Sequence, residues 1–191
     1  MSSFFAYISR MKFIRRWGLM RNIHDENIQE HSMQVAMIAH NLALVENKLY
    51  GGEYDAAYIM VLAAYHEVSE IITGDLPTPI KYYNPMIMKE YKKIEKMANE
   101  KIIGMLPDEL AGEYEDIIIQ PDDENHKIVK AADKIAAYIK CVEELTAGNH
   151  EFIKAKDSLK KTIDEIELKS VKYFMETFMD SFNLTLDELS K

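Results

Sequence analysis

Val35, Ile38, Leu42 and Val45 recur at three- and four-residue steps, the spacing that lines one face of an α-helix and not one face of a strand. Asn27, followed three residues later by Glu30, announces that stripe with the pattern of a reciprocal N-terminal cap. The period returns through Ile59, Leu62, Ala63 and His66, after Gly51-Gly52 breaks the chain and Asp55 offers a new cap. Further helices are expected from about Ser3 to Phe13, Pro85 to Met105, shortly after Pro107, Glu124 to Thr146, Glu151 to Ile166, Ser170 to Met179 and near Leu186. In the Pro85 to Met105 segment the expected buried face is Ile87, Tyr91, Ile94, Met97 and Ile102, with Lys and Glu left to solvent. Gly74 and two prolines make Gly74 to Pro79 a stiff loop that cannot be regular helix. Only 7 Gly and 5 Pro in 191 residues disfavour a β-rich fold built on tight turns, so helices are expected to dominate. No repeat, linker or low-complexity tract divides the chain, and residues 1–191 read as one domain.

The net charge of -9 argues against binding nucleic acid polymers, whose affinity rests on Lys and Arg neutralising phosphates. No apolar run approaches the roughly 20 residues needed to span a bilayer, so no membrane partner is expected. The opening MSSFFAYISRMKF reads as an amphipathic helix and not as a cleavable signal, so a cytoplasmic location is expected. Cys141 is the single cysteine, which excludes an intrachain disulfide and a cysteine-rich zinc site. Its apolar helical surroundings make it a small buried hydrophobe.

Chemistry concentrates at His31, the adjacent pair His66-Glu67, Glu70 and Asp133, each on an inward or border face of its helical pattern. An unpaired imidazole or carboxylate is costly there. Taken singly, a histidine on an apolar stripe is a hydrogen-bonded core residue and Asp133 a salt-bridged carboxylate. Taken together, they can hold a divalent cation. On one continuous helix His66 and Glu70 stand at i and i+4, Glu67 and Glu70 at i and i+3, so all three share one broad sector. Nitrogen and oxygen donors without thiolate suit Mn, Co, Fe, Ni or Zn. If His31, His66, Glu67 and Asp133 ligate, positions remain for water and a substrate oxygen. Such a metal can acidify water and polarise a phosphoryl oxygen, and Glu70 could orient the water or take its proton. His24, His40, His126 and His150 have no comparable constellation. Arg16 and Trp17, read alone, are a surface charge and a core or rim aromatic.

The ordered series His31, His66-Glu67, Asp133 resembles the metal-binding signature of the HD-domain phosphohydrolase superfamily, with Glu67 where that pattern ordinarily has Asp. Longer strings narrow the resemblance: Phe4-Phe5-Ala6, Arg16-Trp17 with Leu19-Met20-Arg21-Asn22, Glu30-His31-Ser32, Thr73-Gly74-Asp75-Leu76-Pro77-Thr78-Pro79, and Lys140-Cys141 followed by Glu143-Glu144-Leu145. Together they look like the bacterial HD-domain 5'-deoxynucleotidases over nearly the whole chain. The resemblance implies an all-α, single-domain HD helical bundle with a buried metal site. It implies hydrolysis of deoxyribonucleoside 5'-monophosphates to deoxynucleoside and phosphate by metal-activated water, with little preference for the base. One divalent cation, such as Co, Mn or Zn, and a homodimer are implied as well.

Carried over position by position, His31, His66, Glu67 and Asp133 become metal ligands and Glu70 helps activate water. Arg16 orients the phosphate, and its planar fork of donors suits that task. Trp17 packs against the sugar so that a ribose 2'-hydroxyl is disfavoured. Asp75, Leu76, Pro77 and Thr78 contact the nucleotide, and His31 and Asp133 line the substrate. Two other readings stand beside this one. The first is an HD phosphohydrolase acting on another nucleotide or phosphomonoester, although a polyphosphate asks for more cations than Arg16, Arg21 and Lys81. The second is a nucleotide-binding protein whose catalysis Glu67 weakens.

Overall fold

The computed structural model describes residues 1–81 and 83–190, with the side chain of Thr78 outside that description. Among the described residues every regular element is helical: α1 (Phe4–Ile8), α2 (Ile28–Tyr50), α3 (Ala56–Tyr65), α4 (Glu70–Thr73), α5 (Thr78–Lys81), α6 (Pro85–Ile103), α7 (Asp108–Ile118), α8 (Glu124–Thr146), α9 (Ile153–Asp164), α10 (Lys169–Phe178) and α11 (Leu186–Leu189). A 3-10 segment, Ser9–Phe13, prolongs α1. The connector between it and α2 doubles back through an antiparallel bridge of Arg15 with Asn27.

The start of α2 follows the sequence signal. The Asn27 side chain accepts the Gln29 and Glu30 amides at 3.0 Å, and the Glu30 carboxylate reaches back to the Asn27 amide at 3.4 Å. The helix ends at Gly51, whose φ of 75° is left-handed and favours glycine. At the centre α2 packs along α3 and α8. Ala36, Ala39, Ala43, Ala63, Ala132 and Ala136 let the backbones approach, while Val35, Leu42, Ile59, Leu62, Ile135 and Ile139 fill the space between them. A second cluster joins Phe4, Met11, Ile28, Val68, Ile102, Leu106 and Ile118. His31 lies between Ile28 and Val35 on α2, and His66 between Leu62 and Val68, so both histidines mark the seam between the two clusters.

Three details depart from the sequence reading. The helix carrying Ile59 stops at Tyr65, so His66, Glu67 and Glu70 do not share one continuous helix. The His66 ring takes the Ala63 carbonyl at 2.7 Å, competing with the helical ladder for that acceptor. Tighter turns follow, with Val68 and Glu70 amides bonding to Tyr65 and Glu67 carbonyls three residues back. Three-residue turns eclipse Glu67 and Glu70 and bring them together by a different route from the one expected. Pro79, assigned to a non-helical loop, sits in the first turn of α5, where its missing amide is harmless. On α6 the buried residues are Tyr91, Ala98 and Ile102, whereas Ile94 and Met97 are 51% and 67% exposed. Among the described residues the helix is covered by α1, α4, α5 and α7.

Candidate active site

His31 occupies the first turn of α2, its amide bonded to the Asn27 carbonyl at 3.1 Å, and is fully buried. Its Nε2 meets Asp133 Oδ1 of α8 at 3.0 Å. His66 follows α3 directly, with Glu67 beside it. Ligand atoms of His31, His66, Glu67 and Asp133 all lie within 4.8 Å of one another.

The His66 ring tests whether this group fits a cation. A carbonyl only accepts, so Nδ1, facing Ala63, carries the proton and Nε2 presents a lone pair. Among the described residues that buried Nε2 has no hydrogen-bond partner, and it lies 3.2 Å from Glu67 Oε1. Two acceptors facing each other at this distance repel unless a proton, as in the charged ring, or a metal ion lies between them. The donor set therefore fits a divalent metal ion with nitrogen and oxygen ligands.

Electrostatics reinforce the point. Carboxyl groups of Glu26, Glu67, Glu70, Asp75 and Asp133 all act on the single guanidinium of Arg16, whose side chain is only 12% exposed. Burial opposes ionisation of Asp133, yet the His31 hydrogen bond and the Lys134 charge hold it well below the usual carboxylate range. Burial likewise opposes ionisation of Glu67, and His66 in its charged form, with Glu70 and Arg16, overcomes it and holds its pKa down. Glu70 goes the other way: burial and the adjacent Glu67 charge push it up to about 11. For His31, burial and Arg16 disfavour the charged ring, but Asp133 and Glu26 leave its pKa raised.

Arg16 reaches the same place from the connector, its Nη1 3.8 Å from Glu67 Oε1. Trp17 beside it has a φ of 59°, a left-handed conformation that a bulky residue keeps only when its surroundings enforce it. Its indole packs against the buried Phe152 ring at 5.3 Å and donates Nε1–H to Glu26 Oε2 at 3.0 Å. A buried ion pair on α8 anchors the rest of the connector. Glu144 accepts the Ile23 and His24 amides at 2.9 and 3.0 Å and the Lys140 ammonium at 2.5 Å, while Lys140 also donates to the His24 carbonyl.

Of the loop residues expected at the nucleotide, Asp75 faces the Arg16 charge and the Trp17 amide. Leu76 is half-buried, and the Pro77 carbonyl accepts the Ile80 and Lys81 amides that begin α5. Neither adds a donor to the cation group. The Thr78 side chain, also expected there, lies outside the described residues. Cys141 is buried, which pushes its thiol up to about 12 and keeps it inert. Glu26 escaped the sequence reading altogether. It joins Arg16, Trp17 and His31, and its only local signal is a position next to the Asn27 cap.

Arranged this way, the group places a cation site against a buried guanidinium and the Glu70 carboxyl, whose ionisation its neighbours disfavour, an arrangement suited to a phosphate ester. Comparison with known proteins agrees. The chain is 53% identical over 191 residues to a 5'-deoxynucleotidase of Vibrio vulnificus, covering 99% of this chain and 98% of the relative. Its fold is that of an HD-domain phosphohydrolase from Listeria innocua, with a TM-score of 0.83 at 23% identity over 99% of this chain and 92% of the other. The cyanophage S-2L HD phosphohydrolase DatZ, solved bound to dA and one catalytic Zn2+ ion, matches with a TM-score of 0.62 at 19% identity, covering 94% of this chain and 96% of that one. A family model described as 5'-deoxynucleotidase YfbR-like spans residues 3–182, with α1 to α10 and every side chain of the cation group included, and the chain belongs to that family.

Proposed function

We propose that this protein is a metal-dependent 5'-deoxynucleotidase, hydrolysing deoxyribonucleoside 5'-monophosphates to deoxynucleoside and phosphate. The observation that carries the reading is the adjacency of Arg16 to the four-residue cation group, 3.8 Å from Glu67. Full-length similarity to 5'-deoxynucleotidases supports it and does not favour a different phosphomonoester or a non-catalytic role. His31, His66, Glu67 and Asp133 would hold one divalent ion, for which Co, Mn and Zn are the candidates, and a Zn2+ ion in DatZ is consistent with that donor chemistry. Such an ion makes water more acidic and phosphorus more electrophilic.

The protein's own residues do the rest. With Nε bound to Glu26, the Arg16 guanidinium keeps its terminal nitrogens for phosphate oxygens, which fixes the phosphate before attack. Water forms the new O–P bond as the bond from phosphorus to the 5'-oxygen breaks. Glu70, set against Glu67, helps activate that water by orienting it, and of the water's two protons one ends on the departing oxygen and the other on the phosphate. Trp17 packs against the sugar and disfavours a 2'-hydroxyl, while Asp75, Leu76, Pro77 and Thr78, with His31 and Asp133, line the nucleotide.

Residues 1–191 act as one HD-type domain in the cytoplasm, and among the described residues no helix is long and apolar enough to cross a membrane. A homodimer is the working assembly, supported by Met33, Met37 and Leu44, all exposed on one side of α2 at helical spacing.

The test is phosphate release from deoxyadenosine and adenosine 5'-monophosphates by metal-stripped protein resupplied with Mn, Co or Zn. Metal-dependent release favouring the deoxy substrate is expected. Absence of release from deoxynucleotides with every metal would overturn the proposal.

A further inference from the structure

Glu26 spends one carboxylate on three different functional residues. Oε2 accepts Arg16 Nε–H at 3.2 Å and Trp17 Nε1–H at 3.0 Å. Oε1 lies 3.7 Å from His31 Nδ1, the ring nitrogen turned away from Asp133 and, among the described residues, left without a hydrogen-bond partner. The side chain is 11% exposed, so water competes little for these contacts. The Glu26 carbonyl also accepts the Arg16 amide at 2.9 Å, next to the Arg15–Asn27 bridge, which sets the connector in register with the start of α2.

We propose that Glu26 is a positioning residue that ties sugar discrimination to the metal site, holding the Arg16 guanidinium, the Trp17 indole and the His31 imidazole in one mutual geometry. This rests on the functional reading above. Each link has a physical consequence. A carboxylate behind a ligating imidazole fixes the ring's orientation and raises its basicity, and losing such a partner typically weakens metal binding about 10- to 100-fold. Engaging Arg16 through Nε leaves its two terminal nitrogens as a fork with a fixed direction. Holding the indole N–H keeps Trp17 in a backbone conformation it would otherwise leave. Glu26 therefore influences selection against ribose without touching the sugar.

The chain contains a single tryptophan, so tryptophan signals report Trp17 alone. The experiment compares wild type with Glu26→Gln and Glu26→Asp. It measures the ratio of kcat/KM for deoxyadenosine over adenosine 5'-monophosphate, Co2+ affinity by calorimetry, Trp17 emission, and helicity by circular dichroism. In a folded Glu26→Gln protein the deoxy preference should fall at least about fivefold, Co2+ binding should weaken about tenfold, and the emission should shift to the red. Glu26→Asp, which keeps the charge, should restore part of the Co2+ affinity. In Trp17→Phe the further change Glu26→Gln should no longer alter the deoxy preference, because the link it breaks is already gone. A purely structural Glu26 would instead lower kcat in proportion to the folded fraction and leave preference and Co2+ affinity unchanged, which overturns the proposal. Should no Glu26 variant fold, the single indole N–H resonance of the wild type decides. Slow exchange with solvent is expected, and exchange as fast as in free tryptophan overturns the proposal. If the wild type hydrolyses neither nucleotide, the functional reading fails, while Co2+ affinity and the tryptophan signals still test the positioning role.

Discussion

His31 Nε2 and Asp133 Oδ1 meet at 3.0 Å although 102 positions separate them in the chain, one in the first turn of α2 and the other midway along α8. A cation held by both, with His66 and Glu67, can bind only when the central helices are docked, so its binding free energy adds to folding stability. At metal concentrations about a hundredfold above Kd the gain is about 2.7 kcal/mol. In a domain of this size that corresponds to a rise in Tm of roughly 5 to 10 °C. Thermal unfolding of metal-stripped protein with and without Co2+ should show this rise, and Asp133→Asn should abolish it. A rise that survives in Asp133→Asn would place the cation elsewhere.

Glu67 tests how tightly the group is built. Its Oε1 stands 3.2 Å from His66 Nε2, close enough for both to share one ion. Glu67→Asp withdraws the carboxylate by about one C–C bond, roughly 1.5 Å, and a metal site tolerates little such slack. Weaker Co2+ binding by about tenfold is expected in calorimetry, with unchanged helicity. Tighter binding in Glu67→Asp would show that the longer side chain is a strained fit in this backbone.

The parts of this fold that sequence discloses are those with local causes. Asn27 and Glu30 announce α2 because a cap involves residues three apart, and Gly51 ends it because its backbone is left-handed. The limits of α8 at Glu124 and Thr146 follow from an apolar period that runs unbroken between Pro121 and Gly148. Spacing also put His31, His66, Glu67 and Asp133 on inward faces, though only the docking of α2 against α3 and α8 gathers their ligand atoms. Non-local causes stay hidden. No Gly or Pro marks the end of α3, which the His66 ring produces by taking the Ala63 carbonyl. Ile94 and Met97 share a helical face with Tyr91, but which sector of α6 finds a neighbour depends on the neighbours. Glu26 meets Arg16 and Trp17 through a turn of the connector that has no periodic signature.

Arg16→Lys separates charge from shape. Lysine keeps the positive charge but has one ammonium, which cannot bind Glu26 and also present a fork to phosphate. We expect kcat/KM for deoxyadenosine 5'-monophosphate to fall by about 10²-fold, a misplacement-sized loss. Co2+ affinity measured without substrate should stay within about twofold, since Arg16 lies beside the cation group and offers it no donor atom. Equal losses in both would mean that Arg16 chiefly holds the site together.

The buried Glu144–Lys140 pair predicts a specific acid response. Burial opposes ionisation of Glu144, but Lys140, the Ile23 and His24 amides and Asn149 bring its pKa down from 4.5 to about 2. A carboxyl depressed in the folded state stabilises fully above its unfolded pKa, and that contribution is lost as pH falls through the folded value. The window therefore runs from about pH 4.5 down to about pH 2. At pH 7 the contribution is about 3 kcal/mol, since each tenfold change in proton affinity is worth about 1.4 kcal/mol. Glu144→Gln, which also leaves the Lys140 ammonium buried without its counter-charge, should destabilise the protein at pH 7 by at least about that amount. Urea unfolding of wild type and variant at pH 7, 4 and 3 should show the gap closing as Glu144 of the unfolded wild-type chain takes up a proton that the folded protein still excludes. A gap that stays constant across this range would mean that the Glu144 charge contributes nothing, and that its hydrogen bonds alone hold the connector bearing Arg16 and Trp17 against α8.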